Sequence, residues 1–307
     1  MTSAHPHDQA GHGQFRHPAE LGVGVVGSGR AGTALAVALR RAGHRIVAVS
    51  AVSAQSRHRI EQTLPGTPVR EPQDVIARSD LALLTVPDDV LPGLVAGLAA
   101  TGTELAGRLL AHVSGRHGLA VLDPAVRLGA IPLALHPVMT FTGRPDDPDR
   151  MTGISWGVTA PDQLRPVAEA LVVEMGGEPV FIAEEHRALY HAALAGAANH
   201  LVTQVVQSCD LLAQAGVSNP ARMLGPLVGA ALDNALRLGD AALTGPVARG
   251  DAETVAGHVA ALRAAAPQAL PAYLALARLT ADRALAAGML SPPEAQRLLD
   301  VLAGTTP

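Results

Sequence analysis

Asn199, His191 and His136 are residues of the kinds that hydrogen-bond or protonate a carbonyl oxygen, while Ser114, Thr244 and Arg249 are of the kinds that grip a carboxylate. Together they describe a site able to polarise, orient and protonate a small oxo acid. Asn199 sits in "LYHAALAGAANHL" (189–201), where Ala195 and Gly196, one turn earlier, cannot carry a proton. The chain has no lysine at all; its 23 basic residues are arginines. An arginine stays charged at any working pH, so it holds anions but does not donate protons. Any general acid must therefore be a histidine, or a water held by one. His191 is the best replacement if it reaches the cleft, and as a helix-start histidine it needs no role. Asn199, Thr203 and Gln207 follow at four-residue intervals on one helix face, which either lines a cleft or faces water.

His136, in "LHPVMTF" (135–141), and Ser114, in "HVSG" (112–115), both leave expected strands at one sheet edge. His136 either faces a ligand there or is a core residue held by Pro137. His112, inside its strand, reads as structural. "LTGPVARGDAETVAGH" (243–258) makes a compact turn at Thr244–Pro246, places Arg249 after it, and offers Asp251 as the N-cap of a helix that includes His258. Hydroxyl, free amides and guanidinium together suit a small carboxylate, although punctuation between helices would look much the same.

These groups need a scaffold, and the strongest local signal for one is "GSGRAG" (27–32). It follows the apolar run "GVGVV" (22–26) and opens the helical stretch 33–44. That context supports a dinucleotide loop: Gly27 for the tight turn, Gly29 for close approach of the pyrophosphate, Gly32 for helix–strand packing, with Ser28, Arg30 and Ala31 between them. The second strand, 45–50, ends in Ser50 rather than an acid, and Ser53, Ser56 and Arg57 follow. Serines and an arginine can bind a 2′-phosphate that an acid would repel, which favours NADP(H), with Arg57 the first choice among Arg57, His58 and Arg59. Val86 and Pro87, in "TVPDD" (85–89), end the third strand (80–87) beside the cofactor; Asp88 either lines the cleft or caps the next helix.

Further strands are expected at 108–115, 130–137, 153–160 and 178–183. Their alternation with helices predicts an α/β chain: a doubly wound, Rossmann-type parallel sheet followed by an all-helical domain. The boundaries are a disordered leader over 1–19, a nucleotide domain over 20–183 and a helical substrate and dimerisation domain over 184–307. The leader's His5, His7, His12 and His17 read as a tail rather than a metal site.

Composition narrows the function. Aromatics are 2% of residues and the net charge is −4, so cores must be built from Ala, Val and Leu, and no polyanionic partner is indicated. One cysteine, Cys209, excludes an intrachain disulfide and a cysteine-built metal centre; no metal is expected. No membrane span or signal sequence is read, and a cytoplasmic location is expected.

The stretches "VVGSGRAGTAL", "TVPDD", "HVSG", "LHPVMTF", "YHAALAGAANHLV" and "LTGPVARGD" resemble a bacterial family that joins a Rossmann-like NADP-binding domain to a helical domain long labelled as of unknown function. The resemblance spans nearly all of residues 21–290. It is looser with pyrroline-5-carboxylate reductases and coenzyme F420-dependent NADP reductases. Some members of the nearer family are regarded as an alternative, lysine-free type of ketopantoate reductase. The resemblance therefore implies NADPH-dependent reduction of 2-dehydropantoate to pantoate, for pantothenate synthesis, by a homodimer paired through its helical domain. An imine reductase of the pyrroline-5-carboxylate reductase type and a non-catalytic NADP-binding regulator are the alternatives.

Overall fold

A computed structural model describes residues 20–304, which fall into two compact units divided between Gly196 and Ala197. The expected leader and its histidines lie outside the described residues. The first unit runs β1 (Gly22–Val26), α1 (Arg30–Arg41), β2 (Arg45–Ser50), α2 (Ala54–Thr63), α3 (Pro72–Ala77), β3 (Leu81–Leu84), α4 (Leu91–Ala100), β4 (Leu109–His112), α5 (Asp123–Val126), β5 (Ile131–Pro137), β6 (Ser155–Thr159), α6 (Arg165–Glu174), β7 (Glu178–Phe181) and α7 (Arg187–Ala195).

The strands form one sheet in the order β2-β1-β3-β4-β5-β6-β7. Alternate residues of β1 feed opposite cores. Val23 and Val25 pack with Leu35 and Leu39 of α1 and Leu171 of α6. Val26 packs with Val75 and Ile76 of α3 and Leu91 and Val95 of α4. A sheet covered on both faces explains why its strands read as unbroken apolar runs. Because β1 lies between β2 and β3, the chain winds away from it in both directions, which opens a crevice at the carboxyl ends of β1 and β3.

The expected all-parallel sheet is corrected at one joint, since β5 and β6 pair antiparallel. A parallel return needs a crossover element, and no α-helix lies between Pro137 and Ser155. The third strand is also shorter than expected, because from Thr85 the chain serves the glycine turn instead of the sheet. The first helix begins three residues earlier than the pattern suggested, with Gly29 as its N-cap.

The second unit contains α8 (Leu201–Gln214), α9 (Pro220–Leu238), α10 (Ala252–Ala265), α11 (Leu270–Ala286) and α12 (Pro292–Ala303). Its core is built by α10, α11 and α12, where Ala277, Ala281 and Ala284 let helices approach closely around Val255, Leu298 and Leu302. Asn219 caps α9, Asp251 caps α10 and a Ser291–Glu294 capping box starts α12. Helices α8 and α9 contribute no buried residue. The compositional change at 184 and the packing division at 196 thus bracket α7, which belongs to the sheet unit by its contacts.

Candidate active site

The glycine turn is built by close packing on Thr85. Gly27 has a φ of +97°, and a Cβ there would stand 2.9 Å from Val86 Cγ1 and 3.0 Å from the Thr85 backbone. A Cβ on Gly32 would stand 2.3 Å from Thr85 Oγ1 and 2.5 Å from the Gly27 carbonyl. The Thr85 hydroxyl donates to that same carbonyl at 2.6 Å. Gly29 differs: a Cβ there would meet only the Gly27 carbonyl, at 4.0 Å. Two glycines are thus consumed by packing, and the middle one is left facing open space. Helix α1 starts at this point with no side-chain cap and no acid in its first turn. Uncapped N–H groups at a helix N-terminus favour an anion, and the cradle fits a pyrophosphate.

The other residues expected at the cofactor hold varied positions. Ser28 is buried, so its role at the turn is a backbone one; its N–H donates to the Ser50 carbonyl at 2.9 Å. The Ser50 hydroxyl accepts from the Gly27 amide at 2.9 Å and braces the loop. Ser53 caps α2 by accepting from the Ser56 amide. Arg30 and Ala31 open α1, the first of them exposed. Val86 is half-buried against Gly27, and Pro87 is exposed, its carbonyl accepting from the Val90 and Leu91 amides. Arg57 is exposed and points off the face of α2 that carries Gln55, His58, Arg59 and Gln62. Asp88 does not cap α4, which starts after Val90 without a side-chain cap; its carbonyl instead accepts from His117 Nε2 at 3.0 Å.

At the carboxyl ends of β4 and β5 a second cluster forms. His112 is fully buried; its Nδ1 accepts from the Ser114 amide at 3.2 Å, so Nε2 carries the proton and donates to the Gly118 carbonyl at 2.8 Å. Burial first, then the Arg187 charge among other neighbours, lowers its pKa to about 4. It is a structural post for the 112–118 loop. Ser114, also buried, accepts from the His117 amide through its hydroxyl. Glu184 holds the loop's far end by accepting from the Leu119 and Ala120 amides at 2.7 and 3.1 Å.

His136 and His191 come together here. Their rings stand edge to face with centroids 6.3 Å apart. Gly115 makes room between them, since a Cβ there would lie 2.7 Å from His191 Cδ2 and 2.9 Å from His136 Nε2. His136 Nδ1 is hydrogen-bonded at 2.7 Å to the hydroxyl of Tyr190. Burial, then the charge of Arg187, lowers the His136 pKa to about 4, so the ring is neutral near pH 7. Burial also raises the Tyr190 pKa, opposed by Arg187 and the Gly157 amide, and keeps the phenol protonated. His136 Nδ1 thus faces the Tyr190 hydroxyl and Nε2 faces Gly115.

Tyr190 and Arg187 escaped sequence reasoning. Gly157, opposite His136 across the β5–β6 pair, admits Tyr190; a Cβ there would stand 2.3 Å from the phenol oxygen. Arg187 is 1% exposed and, among the described residues, pairs with no carboxylate: it donates to Thr159 Oγ1 at 2.8 Å and to the Ala134 and Gly157 carbonyls at 3.1 Å. Its Cζ lies 5.7 Å from the Tyr190 ring centre. Tyr190 could have been suspected as one of only two tyrosines, directly before His191. Nothing local marks Arg187 among 23 arginines.

The remaining candidates belong to the second unit. Asn199 is exposed within a π-helical turn, Gly196–His200, that links α7 to α8, and its carbonyl accepts from the Thr203 hydroxyl. Such turns insert a residue and shift the helix face, a feature common at functional sites. Thr203 and Gln207 line a surface cavity of about 400 Å³ with Val202, Val206 and Gln268. Arg249 donates to the Thr244 carbonyl and so closes its own turn. Asp251 accepts from the Thr254 amide at 3.0 Å and hydroxyl at 2.7 Å, which hold its pKa down. Among the described residues, no three His, Cys, Asp or Glu side chains gather as a metal site, and no helix is long and apolar enough to cross a membrane.

A family model described as a Rossmann-like domain matches residues 5–137, and one described as a domain of unknown function, DUF2520, matches residues 154–280. No curated protein matches the chain. Solved structures do. One is a protein provisionally called an NADP oxidoreductase from Bacteroides fragilis, with 21% identity, a TM-score of 0.73, and coverage of 86% of this chain and 98% of that one. A Streptomyces aurantiacus imine reductase has 17% identity and a TM-score of 0.55 over 92% of this chain and 93% of its own. A Plasmodium falciparum pyrroline carboxylate reductase, solved with NADP bound, has 12% identity and a TM-score of 0.51 over 71% and 80%. The chain thus joins a Rossmann-like segment to a DUF2520 segment, in a fold it shares with these reductases.

Proposed function

We propose that the chain is an NADPH-dependent reductase of a small 2-oxo acid, with 2-dehydropantoate as the best single substrate. The observation that carries this reading is the open Gly29 cradle at the uncapped start of α1, on the same sheet edge as the His136–Tyr190–His191 cluster. Gly27, Gly29 and Gly32 would hold the pyrophosphate with the first amides of α1. When bound, the cofactor supplies hydride to the carbonyl carbon. The protein must orient the carbonyl and satisfy its oxygen.

His136 is assigned the hydrogen bond that polarises this oxygen, through Nε2–H. Being neutral, it does so without first losing a charge, and Tyr190 holds it in that tautomer. His191 is assigned the proton. This answers the absence of lysine with two imidazoles spaced by a glycine. Asn199 as a further oxygen ligand, and Arg249 with Thr244 or Ser114 as carboxylate ligands, belong to the reading on their chemistry. A homodimer through the helical unit also belongs to it; α9 exposes Met223, Leu227 and Leu238 on one face, an apolar stripe that suits a second copy. An imine reductase is the second reading, favoured by the neutrality of His136, since a protonated imine needs less from an acid.

The test is NADPH oxidation by the purified protein with 2-dehydropantoate, run beside pyrroline-5-carboxylate. Turnover with the oxo acid alone supports the first reading and turnover with the imine alone the second. Cofactor binding without turnover of either would point to a regulator. In the active case Asn199→Ala is expected to slow turnover roughly a hundredfold or more, the usual cost of one lost oxyanion donor, about 2.7–4 kcal/mol. A near-normal rate would remove Asn199 from the mechanism.

A further inference from the structure

Helices α1 and α2 flank a cavity of about 410 Å³ that the 143–148 loop closes from the side. Its wall carries Arg30, Arg40, Arg41, Arg59 and Arg144, with His58 beside them. Most are engaged elsewhere. Arg40 donates to the Thr63 carbonyl at 2.9 Å, Arg41 pairs with Asp149 at 2.6 Å, Arg144 pairs with Asp146 at 2.9 Å, and His58 bonds Gln62 at 3.0 Å. The cavity's one lining carboxylate, Asp147, is 1% exposed and already accepts from the Thr142 and Gly143 amides, the Thr142 hydroxyl and Arg150. Among the described residues, the side chains of Arg30 and Arg59 have neither an acid nor a hydrogen-bond acceptor.

These two free arginines both border Gly143. A Cβ placed there would lie 3.2 Å from Arg30 Cγ and 3.8 Å from Arg59 Nη2, so the stem of Arg30 packs beside the guanidinium end of Arg59. The Asp147-held turn, with Gly143 at a φ of +81°, keeps that position clear of any side chain. Two unneutralised arginines lining one cavity favour an anion there. The place is also specific. Arg30 follows Gly29 directly in the phosphate turn, and α2 starts just past the end of β2, where an adenosine ribose lies in sheets of this winding. On α2, the residues at 55, 58, 59 and 62 share the cavity face at helical spacing, and position 57 falls away from it.

We propose that Arg30 and Arg59, the two unpartnered arginines of this cavity, seat the 2′-phosphate of the adenine dinucleotide and that this pair, not Arg57, sets the preference for NADPH over NADH. The proposal rests on the dinucleotide reading given above. The chemistry recognised is a phosphate monoester dianion flanked by two planar forks of N–H donors, the geometry in which arginine outperforms lysine.

The test is direct titration of NADPH, NADH, 2′,5′-ADP and inorganic phosphate against the wild-type chain and the Arg59→Gln, Arg30→Gln and Arg57→Gln variants. Thermal melts run alongside; unchanged melts are expected for Arg59→Gln, since the side chain has no partner to lose. Arg59→Gln is expected to weaken NADPH and 2′,5′-ADP by roughly tenfold or more and to leave NADH within about twofold, as befits loss of one charge-assisted contact. Arg30→Gln should do the same to the ratio, with some added loss for NADH because it adjoins the pyrophosphate turn. Arg57→Gln should leave the ratio unchanged. Equal weakening of NADPH and NADH in Arg59→Gln, or a selective loss in Arg57→Gln, overturns the proposal and spares the dinucleotide reading. Arg59-dependent binding of inorganic phosphate, with no preference for NADPH, overturns it in favour of a free anion site. Failure of the wild-type chain to bind either dinucleotide overturns both.

Discussion

The two units use small residues for opposite ends. In the sheet unit, Gly27, Gly32, Gly115 and Gly157 each admit a particular neighbour: Thr85 for the first two, a pair of imidazoles for the third and the Tyr190 phenol for the fourth. In the helical unit, Gly225, Gly229, Gly245 and Gly257 have nothing within 4 Å of where a Cβ would stand, and the alanines of α11 serve general helix packing. A glycine whose Cβ would collide reports a site assembled around it. A glycine in open space on an outer helix face reports only composition, whereas Gly29, open within the α1 turn, leaves room for a ligand. The same contrast holds for charge: the sheet unit buries His112 and Arg187, whereas no buried polar or charged side chain belongs to the described part of the helical unit.

The comparison breaks most visibly at the glycine turn. Gly32→Ala drives a Cβ into the Thr85 hydroxyl and a backbone carbonyl, neither of which can withdraw freely, and should cost about 3 kcal/mol or more while abolishing dinucleotide binding. Gly29→Ala, two residues from Gly27 in the same turn, should leave the melting temperature unchanged and weaken dinucleotide binding about tenfold or more, because only the ligand wants that space. Equal losses of stability in both variants would mean that Gly29 is a packing glycine like its neighbours.

The next effect is read by pH. His112 has its pKa lowered from 6.5 to about 4 in the folded chain. The unfolded chain therefore binds the extra proton first, so stability is full above pH 6.5 and falls as pH drops toward 4, below which it levels off. The loss attributable to His112 is on the order of 3 kcal/mol at most. His136 acts in the same window and with the same sign. Chemical denaturation at pH 7.5 and pH 4.5 should show this drop, and His112→Gln should flatten part of it. An identical pH slope in that variant would assign the acid sensitivity elsewhere.

The smallest effect sharpens the helical side. Asp251→Ala removes the cap of α10 and its two bonds to Thr254, and should lower the melting temperature slightly. Activity with saturating substrate should be unchanged, as a purely local cap requires. A large fall in turnover would instead tie the 243–251 turn to substrate through its positioning of Arg249.

What the sequence determined by itself was whatever depends on near neighbours. The bounds of β1 and β2, the role of Gly27 and Gly32, the cap at Asp251 and the absence of a lysine acid all follow from residues within a few positions of one another, where backbone sterics and helical or strand period decide the outcome. The tertiary structure alone decided the rest. It set β6 against β5 in the reverse direction, brought Tyr190 to His136 across 54 positions, buried Arg187 on hydroxyl and carbonyl oxygens, and turned Arg59 rather than Arg57 toward Arg30 and Gly143. None of these has a local signature, because a hydrogen bond between distant strands and helices depends on how the sheet stacks its edges. Burial also reverses the ordinary behaviour of a titratable group: a histidine that would be half-charged near pH 6.5 is held neutral at His136 because water has been replaced by protein and by the field of a nearby cation.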